Sequence, residues 1–365
     1  MASPPSPPTP VHLAIIVIGR NEGERLRACL ASLGRHLPAT IYVDSGSTDG
    51  SVAHARSLGV EVVQLDPQTP FTAARARNAG LERAAKLWGD PEAVLFVDGD
   101  CTLAEGWLET ALAELEAHAD AAVVCGRRRE RFPEASIFNR LCDMEWDTPL
   151  GEAEACGGDA LYRGRALIDV GGFDPNMIAG EEPDLCYRLR EAGWKVRRIE
   201  AEMTLHDAAI AHISQWWRRT KRSGHAVAEL AHRHPRLGLT DRRRTRSSLM
   251  WSAVPFGGLV SALAGAFFAP ELWRWWSVLP AGAGVLLAVQ FARIGSLRRR
   301  RGDTPADARS FAFWCLAAKT PEALGWWTFT RNRRRGARSV LIEYKGGAQG
   351  APPEGSGETR GDSAP

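Results

Sequence analysis

The feature that most constrains the fold of this chain is a repeated alternation, over residues 13–118, of short apolar runs with longer stretches of helical periodicity. The apolar runs are nearly continuous, which is typical of strands covered on both faces. They read LAIIVI, TIYV, VEVV and AVLFV and lie at 13–18, 40–43, 60–63 and 93–97. This order predicts an α/β fold with a mostly parallel sheet flanked by helices.

Polar residues directly follow three of these predicted strands. Ligands bind at the carboxyl ends of strands in sheets of this kind, so we expect the three polar clusters to lie at one edge. The clusters are Arg20-Asn21-Glu22, Asp44-Ser45-Gly46-Ser47 and Asp98-Gly99-Asp100. Two carboxylates beside a glycine turn can share Mg²⁺ or Mn²⁺, which prefer oxygen ligands. Taken alone, the Asp-Gly-Asp sequence is equally typical of a surface turn.

Two long apolar runs occur in the last third of the chain. Residues 249–270 carry no charge, and at about 1.5 Å per residue they can cross a hydrocarbon core of about 30 Å. Residues 275–292 are also uncharged. Arginine clusters at 241–246 and 298–301 flank the pair, so we predict a C-terminal transmembrane helical hairpin with both ends in the cytoplasm. A buried helical hairpin is the alternative.

These patterns divide the chain into four predicted parts. The parts are a disordered leader at 1–10, a catalytic domain at 11–238, a membrane region at 239–345 and a disordered tail at 346–365. Within the membrane region, residues 311–329 carry Lys319 and Glu322 in the middle of an apolar run. We predict that this segment is an amphipathic helix on the membrane surface rather than a third span.

The net charge of the chain is only +3, so the total charge indicates no particular partner. Basic runs can mark either nucleic acid or the cytoplasmic side of a membrane. Because the basic clusters here flank apolar runs, we expect a membrane and no nucleic acid. The seven cysteines show no CxxC and no zinc spacing, and their odd number favours a reducing compartment over a disulfide framework.

Several ordered motifs resemble those of glycosyltransferase family 2, over roughly residues 12–220. They read IIVIGRNE, VDSGSTDGS, ARARNAG and VDGD. The resemblance implies the GT-A fold, a nucleotide-diphosphate-sugar donor, and Mn²⁺ or Mg²⁺ as the cofactor. The contacts that it implies with the nucleotide sugar are Arg20, Glu22, Asp44, Ser45, Arg77 and Asp98, with Asp44 at the nucleoside base.

The resemblance also implies a metal site. Asp98 and Asp100 match the DxD motif of the family, and Asp100 is expected to be the closer metal contact. His206, in TLHDAAI, resembles a histidine that some members use as a further contact with metal or phosphate. A single histidine is more often structural, so this role stays open at the level of the sequence.

The stretch GEEPDLCYRLREAGW at 180–194 predicts a helix that begins with two glutamates. Family members usually show Glu-Asp here, and the second carboxylate is the catalytic base. This chain has Glu182 in that place, one methylene longer, with Glu181 as the alternative base. Both carboxylates could instead only stabilise the positive end of the helix. Asp184 and Arg188 are expected to form an i,i+4 pair that supports the same helix.

Two further segments bear on the acceptor. The stretch at 156–175 resembles the acceptor-side segment of the family, and 215–219 resembles the QxxRW region of processive members. The residue order at 215–219, QWWRR, departs from that pattern, so we expect no processivity.

Together these features predict an inverting, metal-dependent hexosyltransferase anchored in the inner (cytoplasmic) membrane, with its catalytic domain facing the cytoplasm. The expected acceptor is a hydroxyl of a lipid-linked or lipid molecule, in cell-surface polysaccharide or glycolipid synthesis. The alternatives are a nucleotidyltransferase-like enzyme and a non-catalytic membrane partner that retains the fold.

Overall fold

The structure, a computed structural model, describes residues 12–268, 271 and 273–337, with 273–276 described for their backbone alone. The predicted leader at 1–10 and tail at 346–365 lie outside the described residues. The strands are β1 (Leu13–Gly19), β2 (Thr40–Asp44), β3 (Glu61–Gln64), β4 (Ala93–Asp98), β5 (Cys101–Leu103), β6 (Ala121–Glu130), β7 (Gly151–Glu152), β8 (Ala160–Arg163) and β9 (Lys195–His206).

Helices alternate with these strands as far as β9, and the described elements after β9 are helices. They are α1 (Glu24–Ser32), α2 (Ser51–Ser57), α3 (Ala73–Trp88), α4 (Trp107–Ala117), α5 (Ile137–Glu145), α6 (Gly164–Asp169), α7 (Glu181–Glu191), α8 (Ile213–Arg233), α9 (Leu239–Phe268), α10 (Trp273–Arg300), α11 (Pro305–Ala317) and α12 (Lys319–Arg334). A 3₁₀ helix at Gly34–Ala39 leads into β2.

Among the described residues, the strands form one mixed sheet with the order β3-β2-β1-β4-β8-β6-β9-β5, and β7 pairs with β9. The neighbours from β3 to β4 are parallel, and so are β6 and β9. β8 runs antiparallel to both β4 and β6, while β5 and β7 run antiparallel to β9. The predicted α/β fold with a mostly parallel sheet is confirmed, and the antiparallel strands lie in its second half.

The core is built from the apolar strands that the sequence predicts. Ile15, Val43 and Leu95 are fully buried in β1, β2 and β4. Helix α3 packs closely on the sheet because Gly80 faces Ile16, where a Cβ would lie only 2.3 Å from Cγ2 of Ile16. This contact sets the distance between α3 and the sheet, and the first turns of α3 lie near the carboxyl ends of the strands.

An aromatic cluster joins the later helices to the sheet domain. Trp216 of α8 stacks on Phe138 of α5 with 5.8 Å between ring centroids, and Trp314 of α11 lies 5.0 Å from Phe138. Arg140 and Asp307 form an ion pair at 2.9 Å across the same junction. Helix α11 is therefore packed against the sheet domain through both apolar and charged contacts.

Helix α12 crosses α8 at two glycines. A Cβ at Gly224 would lie 2.2 Å from the carbonyl oxygen of Glu322, and one at Gly325 would lie 2.2 Å from that of Lys221. The sequence predicts a single helix over 311–329, and this is wrong: the segment is divided between α11 and α12, which meet at Ala318. Pro321 has no N–H to donate, so a continuous helix would lack one hydrogen bond here.

Two helices of the described residues, Leu239–Phe268 and Ser277–Arg300, are long and apolar enough to cross a membrane. In the most apolar stretch of each helix, only 11% and 6% of the residues are buried within the protein, whereas most of a core helix in a soluble domain is buried. The predicted spans fall within α9 and α10, although residues 269–270 and 272 lie outside the described part. The two helices pack where Gly258 faces Pro280 and Ala283.

Candidate active site

Asp44 closes strand β2 and organises the loop that follows it. Its side chain is fully buried, and Oδ2 accepts hydrogen bonds from the backbone N–H groups of Gly46 and Ser47, each at 3.0 Å. The hydroxyl of Tyr42 donates to Oδ1 at 3.1 Å. Gly46 has a φ of +82°, which glycine adopts without strain. Asp44 thus shapes the turn at which the sequence predicts a contact with the nucleoside base.

The loop after β1 is bound to this turn. The N–H of Asn21 donates to Oγ of Ser47 at 2.8 Å, and its Oδ1 accepts the N–H of Thr48 at 2.7 Å. The two loops are therefore held side by side at the carboxyl edge of the sheet. The predicted nucleotide contacts that these loops carry are Arg20, Glu22, Asp44 and Ser45.

Arg20 and Glu22 have different surroundings within this edge. The guanidinium of Arg20 lies over the ring of Phe71, 5.5 Å from its centroid. Glu22 forms an ion pair with Arg25 at 2.8 Å. Arg20 is exposed and Glu22 is partly exposed, so both are accessible to a ligand at the ends of β1 and β2.

Arg77, in the second turn of α3, is the centre of an acidic cluster. Its side chain is 2% exposed, and Nη1 lies 2.9 Å from Oε1 of Glu181. Nη2 lies 2.9 Å from Oδ1 of Asp98 and 3.0 Å from Oε1 of Glu182. Burial opposes the charge of the guanidinium, but the three carboxylates outweigh it and raise the pKa of Arg77. One buried cation therefore joins the first residue of the DxD motif to both candidate bases.

Both carboxylate oxygens of Asp98 are held by arginines. Oδ1 contacts Arg77, and Oδ2 lies 3.3 Å from Nη2 of Arg128. Burial raises the pKa of Asp98, and the two cations act against that rise. Gly158 leaves room for this arrangement, because a Cβ there would lie 2.4 Å from Oδ2 of Asp98 and 3.0 Å from Nη2 of Arg77.

Arg128 and Asp159 belong to the same network, and the sequence analysis does not identify them. Asp159 is fully buried, and its Oδ2 accepts hydrogen bonds from Nε of Arg128 at 3.0 Å and from the hydroxyl of Thr204 at 2.7 Å. Its Oδ1 accepts the backbone N–H of Asp98 at 2.9 Å. Burial opposes ionisation of Asp159, but the charge of Arg128 and the hydrogen bonds from Asp98 and Thr204 together outweigh it and lower the pKa of that carboxyl. In the sequence, the feature that could have indicated Asp159 is its position directly after the Gly157-Gly158 pair.

Asp100 and His206 meet at the end of the sheet. The antiparallel pairing of β5 with β9 places Cys101 opposite His206, and Oδ2 of Asp100 lies 3.5 Å from Nε2 of His206. Both side chains are buried. One ligand atom from each of Asp100, Cys101 and His206 lies within 4.8 Å of the other two. A carboxylate and an imidazole at this spacing fit Mn²⁺ or Mg²⁺, whereas guanidinium groups already contact both oxygens of Asp98.

Helix α7 begins with the two candidate bases. Gly180 precedes them with a φ of +82°, Glu181 is buried, and the side chain of Glu182 is 15% exposed. Burial and the neighbouring charge of Glu181 raise the pKa of Glu182 to about 7, against the lowering effect of Arg77. A carboxylate with a pKa near neutrality is suited to accept a proton near neutral pH.

The remaining charges of α7 support the helix, as the sequence predicts. Nε of Arg188 donates to Oδ2 of Asp184 at 3.0 Å, and Nε2 of His234 lies 2.9 Å from Oδ1 of the same carboxylate. These contacts leave Glu181 and Glu182 as the carboxylates of α7 that face Arg77.

Comparison with known proteins agrees with this fold. Residues 14–153 match the family model described as glycosyl transferase family 2. The structure is similar to that of a mannosyltransferase from Pyrobaculum calidifontis in complex with GDP-Man and Mn²⁺, with a TM-score of 0.50 and 18% identity. The match covers 77% of this chain and 88% of that chain. Residues 14–153 therefore match a family 2 glycosyltransferase domain, and the chain has the GT-A fold.

Two curated relatives show how far the similarity in sequence extends. The pre-mycofactocin glycosyltransferase of Mycobacterium tuberculosis is 32% identical over 249 residues, which is 64% of this chain and 50% of that protein. The succinoglycan biosynthesis protein ExoA of Rhizobium meliloti is 25% identical over 209 residues, which is 53% of this chain and 60% of that protein. This chain thus spans about half the length of the first relative.

Proposed function

We propose that this chain is an inverting glycosyltransferase that moves a sugar from a nucleotide-diphosphate sugar to a hydroxyl group of an acceptor. The observation that carries the proposal is the position of Arg77 between Asp98 and Glu182, with Nη2 at 2.9 Å and 3.0 Å from their carboxylates. This guanidinium brings a candidate base to the DxD motif, where a donor diphosphate would lie. A base beside the donor site is what displacement at the anomeric carbon requires.

Glu182 acts as the general base in this proposal. The acceptor hydroxyl gives its proton to Oε of Glu182 while its oxygen attacks the anomeric carbon, and the bond to the diphosphate breaks on the opposite face. A single displacement of this kind inverts the anomeric configuration. Arg77 orients the carboxylate of Glu182 and favours its ionised form, because it offsets part of the rise in pKa that burial and Glu181 cause.

The donor site is proposed at the carboxyl ends of β1, β2 and β4. Arg20, Glu22, Asp44 and Ser45 would contact the nucleoside, and Arg77 and Asp98 would lie near the diphosphate. Asp100 and His206 would hold Mn²⁺ or Mg²⁺, whose bound form neutralises charge on the leaving diphosphate. The Mn²⁺ of the similar mannosyltransferase structure supports this choice of metal.

The acceptor is proposed to be lipid-linked or a lipid, in the inner membrane with the catalytic domain facing the cytoplasm. The two apolar helices support this location, since the arginine clusters lie at their catalytic-domain ends. The end of α10 also lies close to the site, because Nη1 of Arg298 donates to the carbonyl of Met144 at 3.3 Å. Two residues after Met144, the ring of Trp146 lies 4.8 Å from that of His206. A role in polysaccharide or glycolipid synthesis is in keeping with the succinoglycan relative.

The proposal is tested with the full chain purified in lipid nanodiscs. The chain is incubated with Mn²⁺ and a panel of nucleotide-diphosphate sugars, with and without polyprenyl-phosphate and glycolipid acceptors. We expect release of nucleoside diphosphate with at least one donor and a product of inverted anomeric configuration by NMR. Release of pyrophosphate from a nucleoside triphosphate would indicate nucleotidyl transfer, and failure with the whole panel would indicate a non-catalytic partner.

A further inference from the structure

We propose that Trp146 is a positioning residue that holds Arg128 and His206 against the two aspartates of the DxD motif. The inference rests on the proposed function, because it assigns a role within the same metal and donor site. Trp146 follows the last residue of α5 and is partly exposed. Its indole is in contact with Arg128 on one side of the site and with His206 on the other.

The first contact is with the arginine that orders Asp98. The guanidinium of Arg128 lies over the indole, 5.6 Å from the ring centroid, within the range of a cation–π interaction. The same guanidinium binds Asp159 through Nη2 at 2.7 Å and lies 3.3 Å from Asp98. Because an arginine side chain has many rotamers, a ring against its planar face restricts where its nitrogens can point.

The second contact is with the histidine that faces Asp100. The rings of Trp146 and His206 meet edge to face, with 4.8 Å between centroids and 84° between planes. Nε2 of His206 lies 3.5 Å from Oδ2 of Asp100, and Nδ1 lies 3.8 Å from Oε2 of Glu130. The indole therefore limits the rotation of the imidazole about its bond to Cβ, and with it the direction of Nε2.

The backbone around Trp146 is well fixed, so the ring has a defined position. The N–H of Trp146 donates to the carbonyl of Cys142 at 3.0 Å, and its carbonyl accepts the N–H of Thr148 at 3.0 Å. Arg298, at the end of α10, donates to the carbonyl of Met144 in the same helical turn. The end of α5 thus contacts α10 through the carbonyl of Met144 and both halves of the DxD site through the indole of Trp146.

The expected effect is a loss of affinity for metal and donor without a loss of fold. Groups that orient a metal-ligating histidine commonly change metal affinity by about 10- to 100-fold when removed. For Trp146→Ala we therefore expect an increase of about 10-fold in the dissociation constant for Mn²⁺. We expect a comparable rise in the KM for the donor, and a smaller change in kcat, because Glu182 and Arg77 do not contact the indole.

The test measures Mn²⁺ binding to the full chain in nanodiscs by the electron paramagnetic resonance signal of free Mn²⁺, without any turnover. Trp146→Phe keeps an aromatic face and should stay within about threefold of the unmodified chain. Trp217→Ala is the matched control, since Trp217 lies on α8, is 38% exposed, and contacts neither Arg128 nor His206 through its ring in the described part of the chain. Thermal unfolding midpoints show whether each variant is folded.

Weaker Mn²⁺ binding in Trp146→Ala, with near-normal binding in Trp146→Phe and Trp217→Ala, supports the inference. If the alanine variant unfolds, Trp146→Leu replaces it, because leucine fills space without an aromatic face, and the same loss is expected. Unchanged Mn²⁺ and donor affinities in a folded alanine or leucine variant would overturn the inference. An unmodified chain that binds Mn²⁺ but transfers no sugar would contradict the proposed function alone, whereas one that binds no Mn²⁺ would overturn both.

Discussion

The buried guanidinium of Arg77 forms an ion pair with Glu182, with 3.0 Å between Nη2 and Oε1, although the two residues lie on different helices. The same nitrogen lies 2.9 Å from Asp98. The guanidinium therefore connects the candidate base to the first carboxylate of the DxD motif. Removing the cation would take away the arginine partner of Glu181 and Glu182 and one of the two arginine partners of Asp98, which is costly for carboxylates that are buried or partly buried.

The first prediction concerns pH. Burial and Glu181 raise the pKa of Glu182 to about 7, while Arg77 on α3 lowers it and Asp98 on β4 raises it. Since the base must be ionised, kcat/KM should rise with pH and level off above about pH 7, and the rise should vanish in Glu182→Gln. The measurement is the pH profile of kcat/KM, and a profile that is flat from about pH 5.5 to 8.5 would contradict this assignment.

The same rise in the pKa of Glu182 should make the stability of the fold decrease with pH, whereas kcat/KM should increase with pH. Because the folded state holds the proton of Glu182 more tightly than the unfolded state, the free energy of unfolding should fall as pH rises from about 4.3 to about 7. Glu182→Gln should remove that part of the pH dependence, which denaturant titrations at several pH values would measure.

The second prediction concerns the metal. Asp100→Asn removes one negative charge beside His206 and should abolish transfer while leaving the fold intact, since the side chain keeps its size. Weaker Mn²⁺ binding should accompany the loss, with an unfolding midpoint close to that of the unmodified chain. Normal turnover of this variant at saturating Mn²⁺ would show that Asp100 is not a metal ligand.

The third prediction compares two adjacent glycines. Gly158→Ala places a Cβ 2.4 Å from Asp98 and 3.0 Å from Arg77, so both side chains must shift. A displacement of this kind at a reacting centre costs about 100-fold in kcat/KM. Gly157→Ala is the control, because the nearest atom to its Cβ is Cζ of Arg128 at 4.0 Å. Equal activities of the two variants would argue against the tight packing of Asp98 and Arg77.

The fourth prediction concerns topology. If α9 and α10 form a transmembrane hairpin with cytoplasmic ends, Glu271→Cys should react from outside intact cells, and Arg300→Cys should not. The measurement uses a thiol reagent that cannot cross the membrane, in a background without the seven native cysteines. A chain that stays in solution without detergent, with both cysteines labelled, would mean that the two helices form a packed subdomain.

The sequence predicts the parts of the site that lie at strand ends and helix starts. The strands before Asp44 and Asp98 are continuous and apolar, so their carboxyl ends could be located from local pattern alone. The helix that begins with Glu181 and Glu182 was located from its pattern in the same way, whereas the role expected of Glu182 came from the resemblance to the family. The mostly parallel sheet is confirmed for the same reason.

Residues that act through contacts between distant segments could not be predicted. Three successive arginines in β6 point alternately to opposite faces: Arg127 pairs with Asp143, Arg128 pairs with Asp159, and Arg129 pairs with Glu202. Strand geometry predicts that neighbouring side chains alternate between the two faces. Which face meets the site depends on the pairing of β6 with β8 and β9, which the sequence does not show. The role of Trp146 depends on the same long-range pairing.

Single-turnover kinetics of Glu182→Gln show whether Glu182 removes the proton from the acceptor hydroxyl. The unmodified chain, Glu182→Gln and Glu181→Gln are compared at saturating donor, with donor affinity measured separately. We expect Glu182→Gln to lower the rate of sugar transfer by about 10²- to 10⁴-fold with little change in donor affinity. A larger loss in Glu181→Gln than in Glu182→Gln would contradict this expectation and assign the base to Glu181.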